Sequence, residues 1–229
     1  MPDIPPVETP DRPSASSKHL LYVADPMCSW CYGFAPVISE IAQRLACLAP
    51  VRIVMGGLRP GETRPNRDKD KDYLRSAWAH VAEASGQPFN AAFFERENFV
   101  YDTEPPCRAV VTIRHVYPQE AMPFLERLST AFYAGNRDIT QTDILGDIAQ
   151  EAGFNRAEFI AAFQSEAARE ATRKDFEMCQ DAGIRGFPTL LAGTDRQGPD
   201  GADRGYRLIT HGFCALDDLA GALEQWAAE

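Results

Sequence analysis

Leu20-Leu21-Tyr22-Val23-Ala24-Asp25-Pro26-Met27-Cys28-Ser29-Trp30-Cys31 is the stretch that decides the fold of this chain. The apolar run from Leu20 to Ala24 is bounded by the turn signal Asp25-Pro26 and reads as a short buried strand. From Trp30 onward the period changes. Trp30, Phe34, Val37, Ile38, Ile41, Leu45 and Leu48 fall at helical spacing, so Cys28 sits at a helix mouth and Cys31 one turn inside. Backbone N–H groups at such a mouth have no intrahelical partner and the macrodipole is positive there, which favours a thiolate on Cys28 and makes it the expected nucleophile. Two cysteines at this spacing can cycle between dithiol and disulfide. The residues alone leave two other readings open, a pair of zinc ligands and two buried thiols that happen to be close. Against zinc, the chain has no second Cys-x-x-Cys and no histidine pair at ligand spacing; His19, His80, His115 and His211 are scattered. No metal is expected.

A second segment, far away in sequence, belongs to the same chemistry. Gly183-Ile184-Arg185-Gly186-Phe187-Pro188-Thr189-Leu190-Leu191 joins a helical stretch to a short apolar strand, and proline is tolerated at the strand start because no N–H is needed there. Together with Asp25 to Cys31, with Pro36 and with Gly56-Gly57-Leu58-Arg59-Pro60, this segment resembles the thioredoxin superfamily. The likeness is closest to the DsbA-like branch with a helical insertion, the protein-disulfide isomerase type, and it spans nearly the whole chain after about residue 18. The expected fold is therefore α/β, a thioredoxin-like domain formed by residues 19–64 and 166–229, with an all-helical insertion at 65–165 and a disordered N-terminal segment at 1–18.

The resemblance implies that Pro188 is cis and faces the cysteine pair, leaving the Phe187 backbone beside Cys28 to pair with an extended peptide. It also implies a kink of the first helix at Pro36, which removes one helix hydrogen bond. Two departures matter. Relatives often carry an acidic residue six positions before the first cysteine, where this chain has Tyr22; Asp25, three before, is the candidate for proton transfer, although aspartate before proline also serves plain turn chemistry. The dipeptide between the cysteines, Ser29-Trp30, contains no histidine to stabilise a thiolate.

The function implied is thiol–disulfide exchange on protein or small-molecule substrates, with Cys28 attacking and Cys31 resolving. Trp30 would shield the pair, and Phe187 and Pro188 would present the groove edge. No cofactor is implied beyond the redox-active Cys28–Cys31 disulfide itself, with glutathione as a co-substrate. Two alternatives stand beside it. One is a glutathione-dependent isomerase or transferase, a chemistry of related helical-insertion folds that usually carry serine where this chain has Cys28. The other is a non-catalytic, redox-sensing binding protein.

Composition fits a chain able to bury a full core, with 229 residues of which 45% are hydrophobic. Lys and Arg number 23 against 33 acidic residues, a formal net charge of −10, which argues against nucleic acid and anionic membranes as partners. Residues 1–17 contain no apolar core of a secretory signal and no run reaches transmembrane length, so the expected location is cytoplasmic. In a reducing compartment six cysteines read as free thiols plus one redox pair.

Along the chain the expected order is strand, helix, strand, a long helical block, helix, strand, strand, helix. The second strand is Val51 to Met55; two more, near Thr189 to Leu191 and Tyr206 to Thr210, form a hairpin across a Gly/Asp-rich loop from Gly193 to Gly205. Asn155 with Glu158 reads as an N-cap pair, and Gly153 and Gly183 as helix ends. Trp78, Phe89, Phe93, Phe94 and Phe99 are expected in the core of the helical block. Cys107 follows Glu104-Pro105-Pro106 at a helix start, which predicts a thiol more acidic than a buried one. In helical-insertion relatives a short polar residue at the matching position points to the active site, with an alanine and an arginine farther along, matched here by Ala109 and Arg114. Cys107 is thus expected to line the groove facing Cys28, and core packing is the alternative. Cys47, Cys179 and Cys214 are expected to be buried.

Overall fold

Strand β1 runs Lys18–Ala24 at the centre of a four-stranded sheet, because its residues are apolar on both faces and both faces are covered. Leu20, Tyr22 and Ala24 point into the main core, whereas Leu21 and Val23 meet Val54 and Cys179 on the opposite face, the period-2 alternation of a strand. The computed structural model describes residues 18–194 and 205–228. Residues 1–17 of the N-terminal segment and most of the loop from Gly193 to Gly205 lie outside the described residues. Lys18 belongs to β1 rather than to that segment, and its ammonium bonds the carbonyls of Trp226 and Ala227 at the end of the last helix.

The chain leaves β1 through the Asp25-Pro26 turn into α1 (Ser29–Arg44), crosses to β2 (Val51–Met55) and pairs it parallel to β1. Leu48 falls beyond the end of α1 and is 52% exposed, so the apolar stripe is one residue shorter than the spacing predicts. Six helices follow: α2 (Asp68–Ser85), α3 (Glu104–Val116), α4 (Ala121–Tyr133), α5 (Thr142–Glu151), α6 (Arg156–Phe163) and α7 (Glu166–Asp181). Strand β3 (Thr189–Thr194) then pairs antiparallel to β1, β4 (Arg207–His211) pairs antiparallel to β3, and α8 (Leu216–Ala228) closes the chain. The sheet order is β2-β1-β3-β4. This is the α/β, thioredoxin-like arrangement with a large helical block between β2 and β3.

Local signals place the helix ends. The Asn155 side chain accepts from Ala157 N and Glu158 N at the start of α6, and Gly153 and Gly183 follow α5 and α7 at φ 93° and 68°. The main core is continuous from the sheet into the helical block: Tyr22, Cys31 and Phe34 belong to the same cluster as Trp78, Leu128 and Phe163. Trp78 organises the block. Its ring lies 4.7 Å from Phe93, 4.9 Å from Phe94, 5.0 Å from Tyr133 and 5.3 Å from Phe89, centroid to centroid.

Candidate active site

Cys28 is the N-cap of α1, with extended backbone at φ −91° and ψ 114°. Its thiol makes no capping bond to the helix N–H groups; it turns instead to the Phe187 carbonyl, donating across 3.4 Å. The sequence placed Cys28 at the helix mouth, but its sulfur is engaged by the neighbouring strand segment and not by the amides there. Cys31 lies one turn inside the helix and is buried behind Cys28. Burial first, and then the hydrogen bond and charge of Cys28, hold the Cys31 thiol well above its ordinary range. All six cysteines are free.

The Phe187–Pro188 peptide bond is cis, and the Pro188 carbonyl accepts from Gly212 N at 2.7 Å. Gly56 allows this segment to come close: a Cβ there would meet the Phe187 ring at 2.1 Å. Trp30 is half-buried and packs on Phe213, 5.7 Å between centroids. Phe213 had no signal in the sequence, since it follows β4 in a loop. Pro36 sits within α1, which continues through it.

Asp25 is fully buried. Its Oδ1 accepts from Met27 N at 2.8 Å and its Oδ2 from Leu58 N at 2.7 Å, so the carboxylate closes the turn and also ties it to the Gly56–Pro60 loop. Burial raises its pKa, and the bonds from Leu58 and Met27 only partly offset this. A raised carboxyl pKa means that the native state holds the proton longer than the unfolded chain. The stabilisation is complete below the ordinary carboxylate range and is lost as pH rises through the folded-state value. Wild type is therefore expected to lose more stability than Asp25→Asn between about pH 4 and about pH 7. Urea midpoints at the two pH values check this, and equal slopes for the two proteins would refute it.

Tyr22, at the position where relatives often carry an acid, is buried; desolvation first, and then Cys31 and Cys28, push its phenol well above the usual range. The helical block reaches the active-site turn through two hydroxyls that the sequence did not single out. Tyr101 Oη donates to Met27 O at 2.6 Å, and Ser129 Oγ to Pro26 O at 3.0 Å.

Cys107 corrects an expectation. It is completely buried inside α3, and its Sγ donates to Asp25 Oδ2 at 3.4 Å. Burial, followed by the charge of Asp25, raises the Cys107 thiol well above its ordinary range, so a place in the first turn of a helix does not make it acidic. It lies behind the active-site turn and offers no surface to a substrate. Arg114 does not join it either. Its guanidinium forms a two-point bridge to Asp175, at 2.7 and 2.9 Å, and bonds Ile53 O, linking α3, α7 and β2. Ala109 is buried in the core. Cys179 is buried as expected, whereas Cys47 is exposed and Cys214 half-exposed, because both lie just beyond regular elements.

Among the described residues no group of three His, Cys, Asp or Glu side chains is placed to hold a metal ion, and no helix is long and apolar enough to cross a membrane. The profile of the DSBA-like thioredoxin domain matches residues 20–211. The chain belongs to this family. Its fold superposes on the candidate protein disulfide isomerase of Nitrosomonas europaea with a TM-score of 0.83, at 35% identity over 92% of this chain and 98% of the other. The cytosolic disulfide reductase DsbM of Pseudomonas aeruginosa superposes with a TM-score of 0.66, at 27% identity over 92% and 95%, and has also been solved with GSH. Among curated proteins, the ClpXP adapter protein SpxH of Halalkalibacterium halodurans is 23% identical over 77% of this chain; the match spans 59% of that protein's length.

Proposed function

We propose that this family member is a thiol–disulfide oxidoreductase in which Cys28 is the attacking thiol and Cys31 the resolving one. One observation carries the reading: Cys28 caps a helix with its sulfur against the Phe187 carbonyl, next to a cis-proline, and Cys31 is buried one turn behind. The Cys28 thiolate attacks a substrate disulfide; a Cys28–substrate S–S bond forms, the substrate's own S–S bond breaks, and the departing thiolate takes a proton. Cys31 then gives up its proton and attacks Cys28, closing the Cys28–Cys31 disulfide and releasing the second substrate thiol. Two electrons pass from the pair to the substrate, and a dithiol or glutathione returns them. The raised pKa of Cys31 keeps it out of the first step. The pair itself is the redox group and no bound cofactor takes part.

Reduction is the direction favoured. The DsbM relative is a disulfide reductase, and Ser29-Trp30 lacks a histidine to stabilise the reduced pair. A cytoplasmic location accords with the cytosolic designation of DsbM. In the insulin assay with dithiothreitol, wild type is expected to hasten turbidity and Cys28→Ser to match the uncatalysed rate; equal rates for the two proteins would remove the enzymatic reading. The similarity to SpxH favours a second reading, a binding protein of adapter type. In that case partner capture would survive Cys28→Ser.

A further inference from the structure

The resolving step leaves a proton to place, because Cys31 enters it as a buried thiol and leaves it as half of a disulfide. The groups packed around Cys31 do not take that proton. On β1, the Tyr22 phenol is held protonated by burial first and then by the two cysteines. In the turn, both oxygens of the Asp25 carboxylate are committed, Oδ1 to Met27 N and Oδ2 to Leu58 N and the Cys107 thiol. On α1, Cys28 is part of the disulfide being broken. The acceptor has to come from α4, the remaining element on that side.

A cavity of about 10 Å³ lies between α1 and α4, and its wall includes Cys31, Tyr22, Ser39, Ser129 and Glu126. That is the room one water takes, and such a water needs two to four polar partners. The Cys31 thiol, the Tyr22 phenol and the Ser129 hydroxyl supply them. Ser129 Oγ spends its proton on Pro26 O and keeps its lone pairs for a donor. Glu126 forms the outer wall, on the exposed side of α4. Its charge faces α1, since the Tyr32 phenol, next to Cys31, is raised by burial first and then by Glu126. Among the described residues no cation lies within ion-pair distance of the Glu126 carboxylate. An unclaimed base therefore shares a one-water cavity with the buried resolving thiol.

We propose that Glu126 accepts the proton that Cys31 gives up in the resolving step, through one water held between α1 and α4. This rests on the oxidoreductase reading given above. As Cys31 attacks, its proton passes to the water and a proton of the water passes to the Glu126 carboxylate. The Cys28–Cys31 bond forms, the Cys28–substrate bond breaks, and the departing thiolate is protonated from solvent.

The test separates the two steps. Reduced protein is mixed with excess Ellman's reagent, quenched in acid at intervals and followed by peptide mass mapping, so that exposed thiols elsewhere do not enter the reading. Appearance of the Cys28 adduct reports attack, and its replacement by the Cys28–Cys31 disulfide reports resolution. Glu126→Gln should leave attack within about twofold and slow resolution about tenfold at about pH 7, less than the ~100-fold of a base in direct contact because a water intervenes. The loss should shrink toward about pH 9, where hydroxide takes the proton instead. A charge effect alone has the opposite sign, since removing a nearby negative charge eases ionisation of Cys31 and hastens resolution. Faster or unchanged resolution, an equal loss in both steps, or a loss that is the same at both pH values overturns the assignment and leaves the thiol chemistry standing. A reduced protein that forms no Cys28 adduct overturns the oxidoreductase reading as well.

Discussion

Cys31→Ser should convert turnover into accumulation: the variant incubated with a protein or glutathione disulfide is expected to stop at a covalent adduct on Cys28, with steady-state exchange falling by about two orders of magnitude or more. Thiol–disulfide exchange runs through a mixed disulfide, and only a second thiol within reach releases it quickly. Cys31 is that thiol by position, one turn behind Cys28 and buried with it. Cys107 points its sulfur at the Asp25 carboxylate, and both its burial and that charge hold it protonated. The adduct is read on a non-reducing gel or by mass. Rapid clearance in Cys31→Ser, at the wild-type rate, would show that an external thiol does the resolving.

Trp78→Ala should be the most damaging single truncation in the helical block, costing about 3–5 kcal/mol in unfolding free energy. Trp78 is 3% exposed and its ring contacts Phe89, Phe93, Phe94, Phe132 and Tyr133, so its removal opens a cavity that rings on three separate segments cannot close together. Tyr133 also links to the active-site turn, because its hydroxyl lies 3.3 Å from that of Tyr101. The exchange rate should therefore fall at temperatures where the variant is still folded. Urea unfolding followed by circular dichroism gives the cost, and a loss below about 1 kcal/mol would mean that the cluster repacks.

The elements that the sequence revealed were those whose signal is local. The period change after Asp25-Pro26 located β1 and α1, and Asn155 marked the start of α6 through its own side-chain oxygen. The meeting of Phe187 with Cys28 came from the family likeness, since no periodicity joins positions 159 residues apart. Cys107 shows where local reasoning fails. Its place after two prolines in a first helical turn was correct, but the depth of that turn in the core was set by tertiary packing, and burial outweighed the helix dipole. Arg114 went astray for a similar reason: a carboxylate on α7, distant in sequence, claims its guanidinium.

The hydroxyls of Tyr101 and Ser129 bear on whether the redox motif is portable. The segment from Asp25 to Cys31 looks like a self-contained cassette, yet two of its carbonyls, Pro26 and Met27, are satisfied by side chains that belong to the helical block. An engineer who transplanted these seven residues into a bare thioredoxin scaffold would strand both acceptors, at about 1–3 kcal/mol for each left buried without a donor. The unit that can be moved is the turn together with its two hydroxyl donors, so redox tuning by motif exchange has to begin from a recipient that carries the inserted helices.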